Sequence, residues 1–191
     1  MFKSGKNGDT RGKVFAIEPN PDVFKVLEIN AALNSHICDI IPLRIAISDA
    51  DCEIVINDHG NANCNGGIIS DTFSNELQER LKSITGYSFK AHGYTLESFV
   101  KKFLTEDEAE SLSFIKIDCE GYDKEILRAS RDFLVKRRPI IQIEWFDWFS
   151  LEESADMFSV ISSINYTAIN PFTGAVVEYN EKLPDLILLP N

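Results

Sequence analysis

The chain has 191 residues, 44% of them hydrophobic, with 30 acidic against 19 basic side chains and a net charge of −11. That size and apolar content suffice for a single domain, 1–191, with a core of its own. The acidity, with no basic stripe, excludes a nucleic-acid backbone as the main partner.

No apolar run approaches the ~20 residues of a membrane span. No signal peptide opens the chain, so a soluble cytoplasmic protein without a membrane partner is expected. The four cysteines, Cys38, Cys52, Cys64 and Cys119, form no C-x-x-C pair. Zinc sites need closely spaced ligands, which three dispersed histidines do not supply. Reduced structural cysteines and no metal are therefore expected.

Residues 1–12 read as a polar amino-terminal loop containing Gly5, Gly8 and Gly12. Val14 to Ile17 is a continuous apolar run, as in a parallel strand covered on both faces, and it ends at Glu18. Asn20-Pro21 then supplies an N-cap and a first-turn proline for a helix with Phe24, Leu27 and Ala31 on one face, reaching about Asn34. A strand is expected from Ile40 to Ile47, broken near its start by Pro42 and ending in Ser48-Asp49, with another at Glu53 to Ile56.

Residues 58–94 interrupt this rhythm as an inserted segment. It contains an Asn/Gly-rich loop, Gly60 to Gly67, followed by Phe73, Leu77, Leu81 and Ile84 at helical spacing. Long loops inside a compact domain are commonly functional covers or surface insertions. Thr95 can cap a helix bearing Leu96, Phe99, Val100 and Phe103.

Phe114 to Ile117 forms the next apolar run. It enters Asp118, Glu120 and Gly121, and then a helix with Tyr122, Ile126, Phe133 and Leu134 as core contacts. Lys136, Arg137 and Arg138 suit that helix's negative end. Ile140 to Ile143, ending at Glu144, is a further buried strand. Ser150 and Glu153 have capping-box spacing for a helix to about Ile164. Strands near 166–170 and 175–179 flank a turn, and Asp185 to Leu189 is the last. Alternation of this kind reads as an α/β domain with a mostly parallel sheet and an antiparallel carboxyl-terminal strand.

Four buried runs end in acids: Glu18, Asp49, Asp118 and Glu144. Ligands of open α/β sheets bind outside the carboxyl ends of the strands. One such acid is ordinarily a helix cap or a solvated group, whereas four on one edge suggest a site. Glu18 has the acceptor oxygens to hold two vicinal hydroxyls of a ribose.

VFAIEPNPDVFKVLEIN, PLRIAISD, TLESF, FIKIDCEGYDKEIL and RPIIQIEW occur in this order from about residue 13 onward. The set resembles the FkbM family of S-adenosylmethionine-dependent methyltransferases. The resemblance implies a class I, Rossmann-like fold with a seven-stranded sheet, one strand antiparallel, and S-adenosylmethionine as cofactor. Glu18 would bind the cofactor ribose with Asn20 beside it, Ser48 and Asp49 would lie near the adenine, and Asp118 and Glu120 near the sulfonium and the acceptor. Asp118 and Glu120 are the candidate catalytic bases. The acceptor implied is a hydroxyl on a small metabolite or sugar.

The family's opening strand and glycine-rich turn have no counterpart in this sequence. By that alignment Gly5, Gly8 and Gly12 fall in the loop before the second strand, and Met1-Phe2 would end the first helix. The absence has three readings. The chain is an amino-terminally truncated methyltransferase with impaired cofactor binding, a degenerate non-catalytic binding or interaction module, or a homo-oligomer that completes itself through an exposed strand edge.

Overall fold

The computed structural model describes residues 2–3, 12–58, 66–181 and 183–191. Its first half contains β1 (Phe2–Lys3), β2 (Gly12–Ile17), α1 (Pro21–Leu33), β3 (Asp39–Leu43), β4 (Ala46–Ile47) and β5 (Cys52–Asp58). Next come β6 (Gly66–Gly67), α2 (Asn75–Ile84), β7 (Tyr87–Tyr94), α3 (Leu96–Phe103) and α4 (Glu106–Glu110). The remainder is β8 (Phe114–Ile117), α5 (Asp123–Ala129), α6 (Arg131–Arg137), β9 (Ile140–Glu144), α7 (Leu151–Ser163), β10 (Tyr166–Ile169) and β11 (Asp185–Pro190).

This is an α/β protein, but its strands are not one mostly parallel sheet. They form three mixed sheets, ordered β1-β2-β3, β10-β11-β9-β8 and β4-β7-β5-β6. The pairs β2–β3, β8–β9 and β4–β7 are parallel. β11 is antiparallel to both β9 and β10, which gives the expected antiparallel carboxyl-terminal strand. Among the described strands β8 pairs with β9 alone, and no ladder joins it to β2.

Local sequence accounts for the elements around the site. Asn20 caps α1 by accepting from the Asp22 and Val23 amides at 2.9 and 3.4 Å, with Pro21 in the first turn. Thr95 caps α3 at 3.2 Å from the Ser98 amide. Ser150 and Glu153 close a reciprocal capping box at the start of α7. Leu127, Ile141, Ile143, Leu186 and Leu188 are fully enclosed, so β9 and β11 are the centre of the core.

Several expectations are corrected. The single strand from Ile40 to Ile47 is two strands in different sheets. β3 follows β2 as far as Ile17–Leu43, and Ala46–Ile47 then pairs with Gly93–Tyr94. The helix after Gly121 is two helices, because the chain breaks at Ser130 between α5 and α6. Residues 175–179 contribute an isolated bridge, Ile169 to Val176, and no strand.

Phe2–Lys3 is a strand antiparallel to Gly12–Lys13, not a helix end or part of a polar loop, because the free edge of β2 offers pairing groups there. Residues 4–11, with Gly5 and Gly8, lie outside the described residues, as does Cys64. Cys38, Cys52 and Cys119 are free thiols. No described helix is long and apolar enough to cross a membrane.

The two ends of the inserted segment are a paired ladder. β5 and β7 run antiparallel from Cys52–Gly93 to Asp58–Tyr87. The Gly86 amide donates to the Asp58 carbonyl at 2.8 Å and closes the neck of the insertion.

Candidate ligand site at the strand ends

β2 and β8 are the two walls of a cleft of about 780 Å³. That size is within the ~300–1,000 Å³ of small-molecule and cofactor sites. Lys13, Val14, Phe15, Ile17 and Glu18 line one wall, and residues from Phe114 to Asp118 line the other. Side chains such as Ile47, Ile56, Phe99 and Val100 make much of the interior apolar. Glu18, Asp58, Asp118 and Glu120 bring acid groups to its lining.

On the β2 side the chain leaves Ile17, and Glu18 stays attached to β3 through its amide, 3.1 Å from the Leu43 carbonyl. One Glu18 carboxylate oxygen accepts from the Asn20 backbone N–H at 2.7 Å. Burial raises the Glu18 pKa above the usual carboxylate range; the Asn20 hydrogen bond opposes the rise and the Asp58 charge adds to it.

The β8 side is a tight turn. Glu120 has φ 53° and Gly121 φ 90°, two consecutive residues in the left-handed region. A Cβ on Gly121 would lie 2.7 Å from the Phe146 ring, so glycine is required there by conformation and by space. Asp118 is exposed and accepts from Lys116 Nζ at 2.6 Å. Glu120 is half-buried, and burial together with the Asp118 charge raises its pKa.

Glu144, at the end of β9, joins this pair: Asp118, Glu120 and Glu144 each place one oxygen within 4.8 Å of the others. Burial first, then the charges of Glu120 and Asp118, push Glu144 up to about 8. Glu144 Oε2 is enclosed and has no hydrogen-bond partner among the described residues. Carboxylates this crowded retain a proton or attract a positive group. Asp123 is also buried, accepts from the Cys119 amide at 3.3 Å, and is pushed up to about 7, chiefly by burial.

The structure thus brings Glu18, Asn20, Asp118 and Glu120 to one cleft. Ser48 and Asp49 do not line it. Ser48 is fully buried, with its hydroxyl donating to the Ala50 carbonyl at 2.7 Å. Asp49 is exposed and touches the cleft through Tyr122, whose hydroxyl donates to it at 2.8 Å. Sequence reasoning missed Asp58, Tyr87 and the role of β6. A Cβ on Gly67 would lie 3.1 Å from the Glu120 Cβ, and one on Gly66 would lie 3.2 Å from Asp58 Oδ2. β6 therefore runs between the two acid corners and needs small residues to do so. The alternation Tyr87, Phe89, Ala91, Gly93 was a period-two signal for β7.

An acid-lined cleft at the carboxyl ends of parallel strands is where α/β proteins hold small ligands. A family model described as the methyltransferase FkbM domain matches residues 1–168, so the chain belongs to the FkbM methyltransferase family. No curated protein and no solved structure matches it.

Proposed function

We propose that the chain is an S-adenosylmethionine-dependent methyltransferase acting on a hydroxyl of a small metabolite or sugar. The observation that carries this reading is the placement of Glu18 and of Asp118 with Glu120 on opposite walls of one cleft. Glu18 offers acceptors for the cofactor's ribose hydroxyls, and the acid trio complements its positive charge. The donor set therefore suits the cofactor, which supplies a methyl group carried on a sulfonium.

The residues then divide the remaining work. A hydroxyl acceptor must lose its proton as its oxygen forms the new bond to carbon. Glu120 takes that proton, since a carboxylate of raised pKa is the stronger base. Asp118, paired with Lys116, orients the acceptor. Much of the rate comes from holding both reactants in line.

Glu18→Gln tests the assignment. Made in the chain extended at its amino end by one strand and a glycine-rich turn, it should weaken binding of S-adenosylhomocysteine by calorimetry roughly tenfold or more, the loss of charge-assisted hydrogen bonds. Unchanged affinity would exclude Glu18 as the ribose ligand.

The separation of β2 from β8 favours a second reading. Beyond the two-residue β1, which occupies the β2 edge only at Gly12–Lys13, the order β3-β2, cleft, β8-β9-β11-β10 would become a seven-stranded sheet if one strand filled the space between β2 and β8. A chain in which that space stays open has impaired cofactor binding, as in a truncated form, or serves as a non-catalytic module or completes itself through self-association. Cooperative unfolding with no cofactor binding, even after the chain is extended at its amino end by one strand and a glycine-rich turn, would identify the non-catalytic module, and self-association in sedimentation would identify the oligomer.

A further inference from the structure

Asn20 is almost fully enclosed, 6% exposed, and its polar groups are engaged in three directions. Its side-chain oxygen accepts from the Asp22 and Val23 amides of α1. Its side-chain nitrogen donates to Asp58 Oδ2 at 3.0 Å and to the Tyr87 hydroxyl at 2.7 Å. Its backbone N–H holds Glu18 at 2.7 Å. The carboxamide orientation is doubly determined, because the helix start needs an acceptor and Asp58 needs a donor. Asp58 itself is 4% exposed, and a buried carboxylate demands such a partner.

We propose that Asp58, with Tyr87, is a positioning residue of the site: it locks the Asn20 carboxamide, and Asn20 in turn fixes the orientation of Glu18. This deepens the reading of Glu18 as the ribose ligand and rests on it. Asp58 and Tyr87 face each other across the neck of the β5–β7 ladder. The inserted segment therefore reaches the cofactor side of the cleft as well as the Glu120 side, which β6 approaches.

The test uses the full ligand-free chain. Asp58→Ala removes the acceptor and should speed exchange of the Asn20 amide roughly tenfold, the consequence of losing one buried hydrogen bond. Amides in the middle of α1 and in β3 should keep their rates. Asp58→Asn can turn its carbonyl oxygen toward Asn20 and should restore the rate to within about twofold. Carboxyl NMR adds a readout that a purely structural role would not move. Asp58 on β5 is the charge that raises Glu18, and Tyr87 on β7 accepts from the same Asn20 carboxamide. Both variants remove that charge, but only Asp58→Ala loosens the Asn20 N–H from Glu18, so the Glu18 midpoint should be higher in Asp58→Ala than in Asp58→Asn.

An unchanged Asn20 rate in Asp58→Ala, or a uniform acceleration across α1 and β3, would overturn the proposal. So would equal Glu18 midpoints in Asp58→Ala and Asp58→Asn. Adenosine titrated into the chain extended at its amino end by one strand and a glycine-rich turn, with and without Glu18→Gln, separates this claim from the one beneath it. A relay that behaves as expected beside adenosine binding that is indifferent to Glu18 supports the positioning role and overturns the ribose assignment.

Discussion

Glu144 is the side chain on which the electrostatics of the site converge. Its pKa moves from the ordinary 4.5 to about 8 in the folded chain, so between those values the folded state holds a proton that the unfolded state has lost. Stability is then fully present near pH 4.5 and falls as pH rises toward 8. Asp123, raised to about 7, acts in the same direction. Glu108, Glu153 and Asp156 have lowered pKa values, and their contributions are lost only on acidification below the ordinary carboxylate range, outside this window. Urea unfolding should give a lower midpoint at pH 8 than at pH 5.5, and Glu144→Gln should flatten the difference. A midpoint that rises with pH would contradict the crowding of these acids. Glu120→Gln tests a different property of the same cluster. Removing the proposed general base should slow methyl transfer by about 10²–10⁴-fold, more than it weakens cofactor binding.

At the scale of elements, the turn from β8 into α5 holds the acids where they are. Gly121→Ala places a methyl group against Phe146 and into a left-handed backbone conformation. Overpacking and backbone strain together should cost roughly 2–4 kcal/mol in urea unfolding. A loss below about 1 kcal/mol would mean that the turn relaxes more easily than its packing suggests. The same scale shows what the sequence made legible. The apolar run at Val14–Ile17, the cap at Asn20-Pro21 and the box at Ser150–Glu153 are short-range patterns, and each stands where local chemistry puts it. Asp58 was invisible as a site residue because its contact with Asn20 spans 38 positions and depends on the β5–β7 register. The reading of Ile40–Ile47 as one strand failed for a related reason. Local apolarity cannot say that two halves of a run belong to different sheets.

The whole molecule is defined by the space between its half-sheets. β2–β3 and β8–β9 run parallel in register with their own partners, and the cleft lies between β2 and β8. Its lining joins an apolar interior to acid groups from both strand ends, so its shape bears on how the proposed cofactor would be held. An open space between two walls orients a ligand less well than a continuous sheet, because each wall must be fixed separately. The most direct measurement is a calorimetric titration of S-adenosylmethionine into residues 1–191 and into the same chain extended at its amino end by one strand and a glycine-rich turn. Binding to residues 1–191 should be weak or absent. The extension should strengthen it at least about tenfold, roughly 1.4 kcal/mol, and Glu18→Gln should remove the gain. Tight binding by residues 1–191 that the extension does not improve would contradict a cofactor site left open between β2 and β8, and binding indifferent to Glu18 would contradict its place in that site.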